Sequence, residues 1–150
     1  MPHSITYIKI HLIFSTKDRK PIISDSYEYK LYNHIKAKFA GDFDSTVEAI
    51  GGDKDHIHIL FNHSSNYSLR DIVKGIKGES SHWVNENNFI NEKFTWQQGY
   101  SAFSISKDRA GIVKKYIENQ KKHHEKVLFI DEIKRFLKLY GFDEETIEMV

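Results

Sequence analysis

The sequence contains no cysteine among its 150 residues. Disulfides, zinc ribbons and thiol nucleophiles are therefore excluded, and the absence fits a reducing compartment. No apolar run approaches the roughly 18 residues that span a bilayer, and the N-terminus carries no signal-peptide pattern. We therefore expect a cytoplasmic protein with no membrane partner.

The chain also has little net charge, +1 from 22 basic and 21 acidic residues. This near-neutrality argues against tight binding of duplex DNA through overall charge alone. Basic residues are nevertheless clustered locally at Lys17, Arg19 and Lys20, and again at 114–115 and 121–122. Most such clusters are solvated surface, but the first is a candidate contact for phosphate groups.

The pattern of apolar residues predicts one domain, residues 1–150, with a single core. Strands are predicted at 5–14, 46–50 and 56–61, a turn at 51–53, and short strand pieces at 94–96 and 102–105. Helices are predicted at 26–40, 68–85, 109–126 and 131–140, with Ser68 capping the second. The order β-α-β-β-α-β-α predicts an α+β fold: a ferredoxin-like antiparallel sheet covered by helices, with an added C-terminal helix. Its first and third strands would be central.

Two imidazoles, His56 and His58, lie in the predicted third strand. Side chains alternate along a strand, so the two rings share one face. The spacing alone is a weak signal, and it favours a strand with one satisfied and one exposed imidazole. The apolar neighbours, Ile57 and 59–61, indicate a buried strand, which favours the alternative that the imidazoles are metal ligands, because neutral imidazole is a common one.

Tyr116 and Gln120 are four residues apart in a predicted helix and share one of its faces. Tyr116 alone is better explained as a core aromatic, and Gln120 could be a surface amide. However, Gln120 continues the row of Ile112 and Tyr116, where an apolar side chain is expected. Facing the two imidazoles, this pair would place two nitrogens and an amide oxygen around a divalent cation, with a phenol beside it.

Such a set of groups suits metal-assisted transesterification of a phosphodiester. The cation would polarise a phosphate oxygen and orient the scissile group. The phenol would lose its proton and attack, forming a covalent phosphotyrosine and freeing a hydroxyl on the other DNA end. The adduct would keep the energy of the broken bond, so the strand could be rejoined without ATP.

Four ordered segments resemble the HUH single-tyrosine insertion-sequence transposases, including their REP-associated relatives. The segment 11–21 is similar to the opening signature of that family, and His56-Ile57-His58 matches its HUH motif, in which U is a bulky apolar residue. Residues 96–105 match a third block, and Tyr116 to Gln120, followed by His123-His124, matches the helix of the catalytic tyrosine. The resemblance covers about residues 3–125; Ser101 departs from it, where a second glycine is expected.

The resemblance implies a single-stranded DNA transposase. His56, His58 and Gln120 would hold Mg²⁺ or Mn²⁺, and Tyr116 would become joined to a DNA 5′-phosphate. It further implies a homodimer that recognises hairpins at transposon ends, without a small-molecule cofactor. The catalytic core would cover about 3–125. The C-terminal helix and acidic tail, 126–150, carry no recognised motif; we expect the helix to cap a core and the tail to be partly mobile.

Three other functions are consistent with parts of the sequence. A non-catalytic module that binds single-stranded nucleic acid would stack bases on strand aromatics such as Phe14, Phe61 and Phe103. A zinc hydrolase would use His56 and His58 with His63 or His124, and Tyr116 would be dispensable. A relative retained by its host to cut repeated hairpins would use the transposase residues unchanged.

Overall fold

The computed structural model describes residues 4–148 and shows one antiparallel sheet. Its strands are β1 (Lys9–Ser15), β2 (Thr46–Asp53), β3 (His56–Asn62) and β4 (Ser101–Ile105). They lie in the order β2-β3-β1-β4, with β1 paired to both β3 and β4. The first and third strands are therefore central, and the predicted ferredoxin-like α+β arrangement is confirmed.

The described residues also form six α-helices and one 3₁₀ turn, Lys17–Arg19. The second helix begins where the sequence predicts, because the Ser68 side chain accepts a hydrogen bond of 3.0 Å from the Asp71 amide. No helix within residues 4–148 is both long and apolar enough to cross a membrane. The helices are α1 (Glu28–Phe43), α2 (Leu69–Glu86), α3 (Ala110–Glu118), α4 (Gln120–His124), α5 (Phe129–Leu139) and α6 (Glu144–Glu148).

The two faces of the sheet have different roles. Side chains such as Leu12 and Ile57 point from one face into the main core, which they share with residues of α1 and α2. The alternate residues, including His11, His56 and His58, point to the other face, beneath α3, α4 and α5. The central strands are consequently buried on both sides, and the second face is where polar side chains gather.

Gly51 and Gly52 lie inside β2, so the turn predicted at 51–53 is wrong; the chain reverses at residues 54–55 instead. Gly51 is opposite His58 in the sheet. A Cβ at position 51 would lie 2.3 Å from the carbonyl oxygen of Ile117 in α3. The missing side chain therefore lets α3 approach the sheet closely, next to the imidazoles of β3.

Other predicted boundaries also need correction. The first strand starts at Lys9 rather than Ile5, because Lys9 is the first residue paired to β3, and Ile5 is fully exposed. The segment 94–96 is not a strand; it contributes one bridge, between Trp96 and Thr16. The helix predicted at 109–126 breaks at Asn119, whose backbone (φ −101°, ψ 19°) is not helical.

The C-terminal helix α5 packs on the second face of the sheet, as expected for a helix that caps a core. Phe129, Ile133 and Leu137 form a cluster with Ile13 of β1 and Phe103 of β4. In the acidic tail, residues 144–148 form α6, and the buried Ile147 joins this cluster; residues 149–150 lie outside the described part.

Candidate active site

His56 and His58 are both fully buried on the second face of β3. The Nδ1 atom of His56 lies 2.8 Å from the Asp55 carboxylate, which can only accept, so Nδ1 carries the proton. In a neutral ring, Nε2 is then unprotonated and can only accept a hydrogen bond or bind a cation. It faces the Oε1 atom of Gln120 at 3.0 Å.

Gln120 and His124, both in α4, lie next to the His56 imidazole. The Gln120 amide nitrogen donates to Glu132 at 3.3 Å, which fixes the amide with Oε1 toward the imidazoles. That oxygen lies 2.8 Å from Nε2 of His124. Because the Nδ1 atom of His124 donates to the Val127 carbonyl, Nε2 of this ring is also a bare acceptor when the ring is neutral.

When both rings are neutral, three acceptors therefore face one another in a buried space: Nε2 of His56, Nε2 of His124 and Oε1 of Gln120. Only a cation or an added proton can satisfy such an arrangement. The ligand atoms of His56, His58, His124 and Glu132 also lie within 4.8 Å of one another. Imidazole nitrogens and carboxylate or amide oxygens suit a divalent cation, so this donor set fits a metal site.

Glu132 of α5 stands at the centre of the cluster, although no role was predicted for it from the sequence. Its carboxylate is 2% exposed. It lies 2.8 Å from Nε2 of His58 and 3.1 Å from Nε2 of His124, and it accepts a hydrogen bond from the Tyr116 hydroxyl. A signal was present in the sequence: Glu132 lies on the apolar face of α5, beside the row formed by 129, 133 and 137.

Burial and hydrogen bonding set the protonation states of Glu132 and Tyr116. Burial alone would raise the pKa of the Glu132 carboxyl, but hydrogen bonds with His124 and His58 hold it well below its usual range. Burial, with Glu132 beside it, raises the pKa of the Tyr116 hydroxyl well above its usual value. At neutral pH, Tyr116 is therefore protonated and Glu132 is ionised.

His11 is a second residue for which no role was predicted from the sequence. Its Nε2 atom lies 2.8 Å from Nδ1 of His58, so one ring donates a hydrogen bond to the other and His11 orients His58. Burial lowers the pKa of His11 to about 3 and that of His58 to about 4, with Glu132 opposing the latter shift. Both rings are neutral at pH 7.

Tyr116 lies at the boundary between this buried cluster and solvent. It lines a cleft of about 450 Å³ between α3, α5 and the edge of β4, together with His11, Ser104 and Arg109. Its ring centroid is 5.7 Å from that of His58. The structure therefore brings Tyr116, His56, His58 and Gln120 together, and it leaves the tyrosine accessible from the cleft.

The predicted basic cluster lies elsewhere. Arg19 lines a separate cleft of about 380 Å³, whose other residues include Gln97, Tyr100 and Phe129. Asp18 and Arg19 both have positive φ, +57° and +52°, a conformation that is costly for non-glycine residues and is often kept at binding sites. Lys20 lies 3.5 Å from Glu92 at the surface.

The structure also places the residues on which the alternative functions depend. Phe14, Phe61 and Phe103 are buried, so none of them is available to stack on a base. His63 bonds to the Tyr67 carbonyl at 2.8 Å and is not part of the cluster. Of the two candidates for a third imidazole, only His124 joins His56 and His58.

Comparison with known proteins agrees with this fold. The profile of the IS200-like transposases matches residues 4–120, so the chain belongs to this transposase family. A candidate transposase from Deinococcus radiodurans R1 is 22% identical, with a TM-score of 0.63 over 80% of this chain and 95% of that one. No curated protein matches the sequence.

A second solved structure with the same fold is a REP-associated tyrosine transposase bound to a REP hairpin. It is 14% identical, with a TM-score of 0.63 over 85% of this chain and 76% of that one. At these identities, both likenesses establish the fold. The family match ends at Gln120, so His124 and Glu132 lie beyond it.

Proposed function

We propose that this protein is a single-stranded DNA transposase that cuts and rejoins DNA through Tyr116. The single observation that carries the proposal is the Glu132 carboxylate, which joins the Tyr116 hydroxyl to the buried imidazole cluster. A tyrosine nucleophile beside a cation site is well suited to transesterification of a phosphodiester. Membership of the transposase family supports DNA as the substrate.

The reaction balances without an external energy source. The Tyr116 Oη atom attacks phosphorus, the P–O3′ bond breaks, and the leaving strand ends in a 3′-hydroxyl. The proton that the phenol loses is balanced by the proton that the leaving 3′-oxygen takes up, and the 5′-phosphate stays esterified to Tyr116. Attack on this ester by another 3′-hydroxyl reforms a phosphodiester and restores the tyrosine, so one bond is exchanged for another in each step.

His56, His58 and Gln120 are the proposed ligands of Mg²⁺ or Mn²⁺. When bound, the cation would supply Lewis-acid polarisation of a phosphate oxygen. The hydrogen bonds from His56 to Asp55 and between His58 and His11 orient the two rings toward the cluster. The full burial of both rings keeps bulk water from competing for these nitrogens.

The proposed partner is single-stranded DNA with hairpin ends, bound by a homodimer. The hairpin complex of the REP-associated neighbour supports a DNA hairpin as ligand, and the homodimer comes from the resemblance to the family. Lys17, Arg19 and Lys20 are the proposed phosphate contacts. The strained backbone of Arg19 at the rim of a cleft supports that assignment.

Tyr116→Phe tests the proposal, because it removes one oxygen and leaves the ring packing in place. With labelled single-stranded DNA carrying candidate hairpins and Mg²⁺, the wild type should form an adduct that resists denaturation and that EDTA prevents. Tyr116→Phe should bind the same DNA and form none. Tyr29→Phe is a matched control, because Tyr29 is exposed on α1.

A normal adduct with Tyr116→Phe would refute the nucleophile assignment. Binding of several hairpins without any wild-type adduct would favour a non-catalytic binding module. Cleavage by Tyr116→Phe without an adduct would favour the zinc hydrolase, for which the meeting of His56, His58 and His124 is the specific observation. A host-retained relative would form the same adduct, but on hairpins repeated in the host genome.

A further inference from the structure

We propose that Glu132 is a protein ligand of the divalent cation, so that the C-terminal helix α5 completes the metal site. The inference rests on the proposed function, which assigns a cation to His56, His58 and Gln120. It adds a charged ligand that lies beyond the part of the chain matched by the family profile. It also gives a role to a helix in which the sequence shows no motif.

The position of the Glu132 carboxylate is the first reason. Its oxygens lie 2.8 Å from Nε2 of His58, 3.1 Å from Nε2 of His124 and 3.8 Å from Nε2 of His56. All three of these nitrogens point into the cluster. The carboxylate is therefore placed to share with these imidazoles a cation bound among them.

The lack of a permanently charged partner for Glu132 is the second reason. Within residues 4–148, its ion-pair partners at 4.0 Å or less are imidazoles, with no lysine or arginine among them. An ionised carboxylate that is buried without a permanent positive partner is costly. A divalent cation among His56, His58 and Gln120 would supply a permanent positive partner.

The chemistry of the ion is the third reason. The ligands assigned by the family resemblance, two imidazoles and an amide oxygen, are all neutral. Mg²⁺ and Mn²⁺ prefer oxygen ligands, and sites for such hard cations normally include carboxylates. Glu132 would provide the one negative charge in the set.

The packing of α5 gives the inference a structural consequence. The ring of Phe129 stacks on His56, with centroids 4.3 Å apart, and Ile133 packs in the cluster that includes Ile13. Glu132 is thus held on both sides by residues of the same helix. If the carboxylate binds the cation, then cation binding and the docking of α5 stabilise each other.

Titration calorimetry with Mn²⁺ on the full, EDTA-stripped and DNA-free chain tests the inference. Loss of an outer-shell partner typically weakens metal binding about 10- to 100-fold, so removal of a direct ligand in Glu132→Gln should weaken Mn²⁺ binding at least about tenfold. Asp131→Asn is the matched control, since the neighbouring Asp131 is exposed and its removal changes the net charge equally. It should bind Mn²⁺ as the wild type does.

Hydrogen exchange provides a second readout that does not depend on activity. Mn²⁺ should slow the exchange of the α5 amides from 133 to 139 in the wild type and in Asp131→Asn, but not in Glu132→Gln. Glu132→Asp keeps the charge and withdraws it by one methylene, so it too should bind Mn²⁺ more weakly. This variant keeps the test decisive if Glu132→Gln proves unfolded by circular dichroism.

Unchanged Mn²⁺ affinity in folded Glu132→Gln or Glu132→Asp would overturn the inference. Tighter binding would also overturn it, and would show that α5 obstructs the cation site. The variant His56→Ala distinguishes a failure of the Glu132 inference from a failure of the proposed function. If His56→Ala loses Mn²⁺ binding while Glu132→Gln keeps it, only the role of Glu132 is wrong; if the wild type binds no Mn²⁺, both assignments fail.

Discussion

At the scale of single residues, the site depends on which nitrogen of each imidazole points inward. Asp55 holds the proton of His56 on Nδ1, and the Val127 carbonyl does the same for His124. Both partners can only accept hydrogen bonds, so each leaves Nε2 free to bind a cation. These partners determine whether the imidazoles can act as ligands.

Asp55→Asn should therefore weaken Mn²⁺ binding. An amide can turn its nitrogen toward Nδ1 of His56, which would move the ring proton to Nε2 and block that ligand. Loss of such a partner typically costs about 10- to 100-fold in affinity, measurable by calorimetry. Asp42→Asn, at an exposed position of α1, should bind as the wild type; equal affinities for all three proteins would contradict this role of Asp55.

The residues predicted from sequence and those missed differ in one physical respect. His56 with His58 and Tyr116 with Gln120 are separated by two and four positions, so the periodicity of strands and helices identifies them. Glu132 and His11 reach the site only through tertiary packing, across separations of 74 and 47 residues from His58. Local spacing cannot reveal such pairs, although the charged Glu132 on the apolar face of α5 could have been noticed.

At the scale of the elements, the close approach of α3 to the sheet positions the tyrosine. The Ile117 carbonyl of α3 occupies the space that a side chain at Gly51 would need. Tyr116 is adjacent to Ile117, and Gly51 is opposite His58. One small residue in β2 therefore sets the distance between the proposed nucleophile and the proposed metal ligands.

Gly51→Ala should force α3 away from β2 and lower the yield of the Tyr116 adduct. Overpacking of this kind typically costs about 1–3 kcal/mol in the free energy of unfolding, measured by urea denaturation. Gly78→Ala is the control: a Cβ at this position of α2 would have no neighbour within 4 Å, so the variant should stabilise the fold by up to about 1 kcal/mol. Similar behaviour of the two variants would contradict the role of Gly51.

The element predictions succeeded or failed for identifiable reasons. Strand order followed from the order of the elements, because few connections are compatible with a β-α-β-β-α-β chain. The two glycines of β2 suggested a turn, but the packing of α3 requires Gly51 within a strand. The break at Asn119 was missed because the row of 112, 116 and 120 is continuous in sequence, and both sides of the break still point into the site.

At the scale of the whole molecule, one face of the sheet stabilises the fold and the other carries the candidate site. One face carries the main apolar core with α1 and α2, and the other carries the polar cluster beneath α3, α4 and α5. The neutral, buried His11 and His58 make the folded state sensitive to acid. Their pKa values in the unfolded chain are near 6.5, whereas in the fold they are about 3 and about 4.

The free energy of unfolding should therefore fall as the pH is lowered from about 6.5 toward 4, because the unfolded chain then binds protons that the fold excludes. For His58 alone, the loss between pH 7 and pH 5 is about 2 kcal/mol. Urea denaturation in EDTA measures it. His82→Gln should leave the loss unchanged because His82 is exposed, and His11→Gln should reduce it; a pH-independent free energy would contradict this prediction.

The most direct test of the whole account is to locate the covalent bond to DNA by mass spectrometry. After incubation with hairpin DNA and Mg²⁺, nuclease treatment and trypsin digestion, the account predicts a 5′-phosphonucleotide on Tyr116, within the peptide 116–121 that follows Lys115. The same peptide from an EDTA-treated sample should be unmodified. A nucleotide attached to any other residue, or cleaved DNA with peptide 116–121 always unmodified, would contradict it.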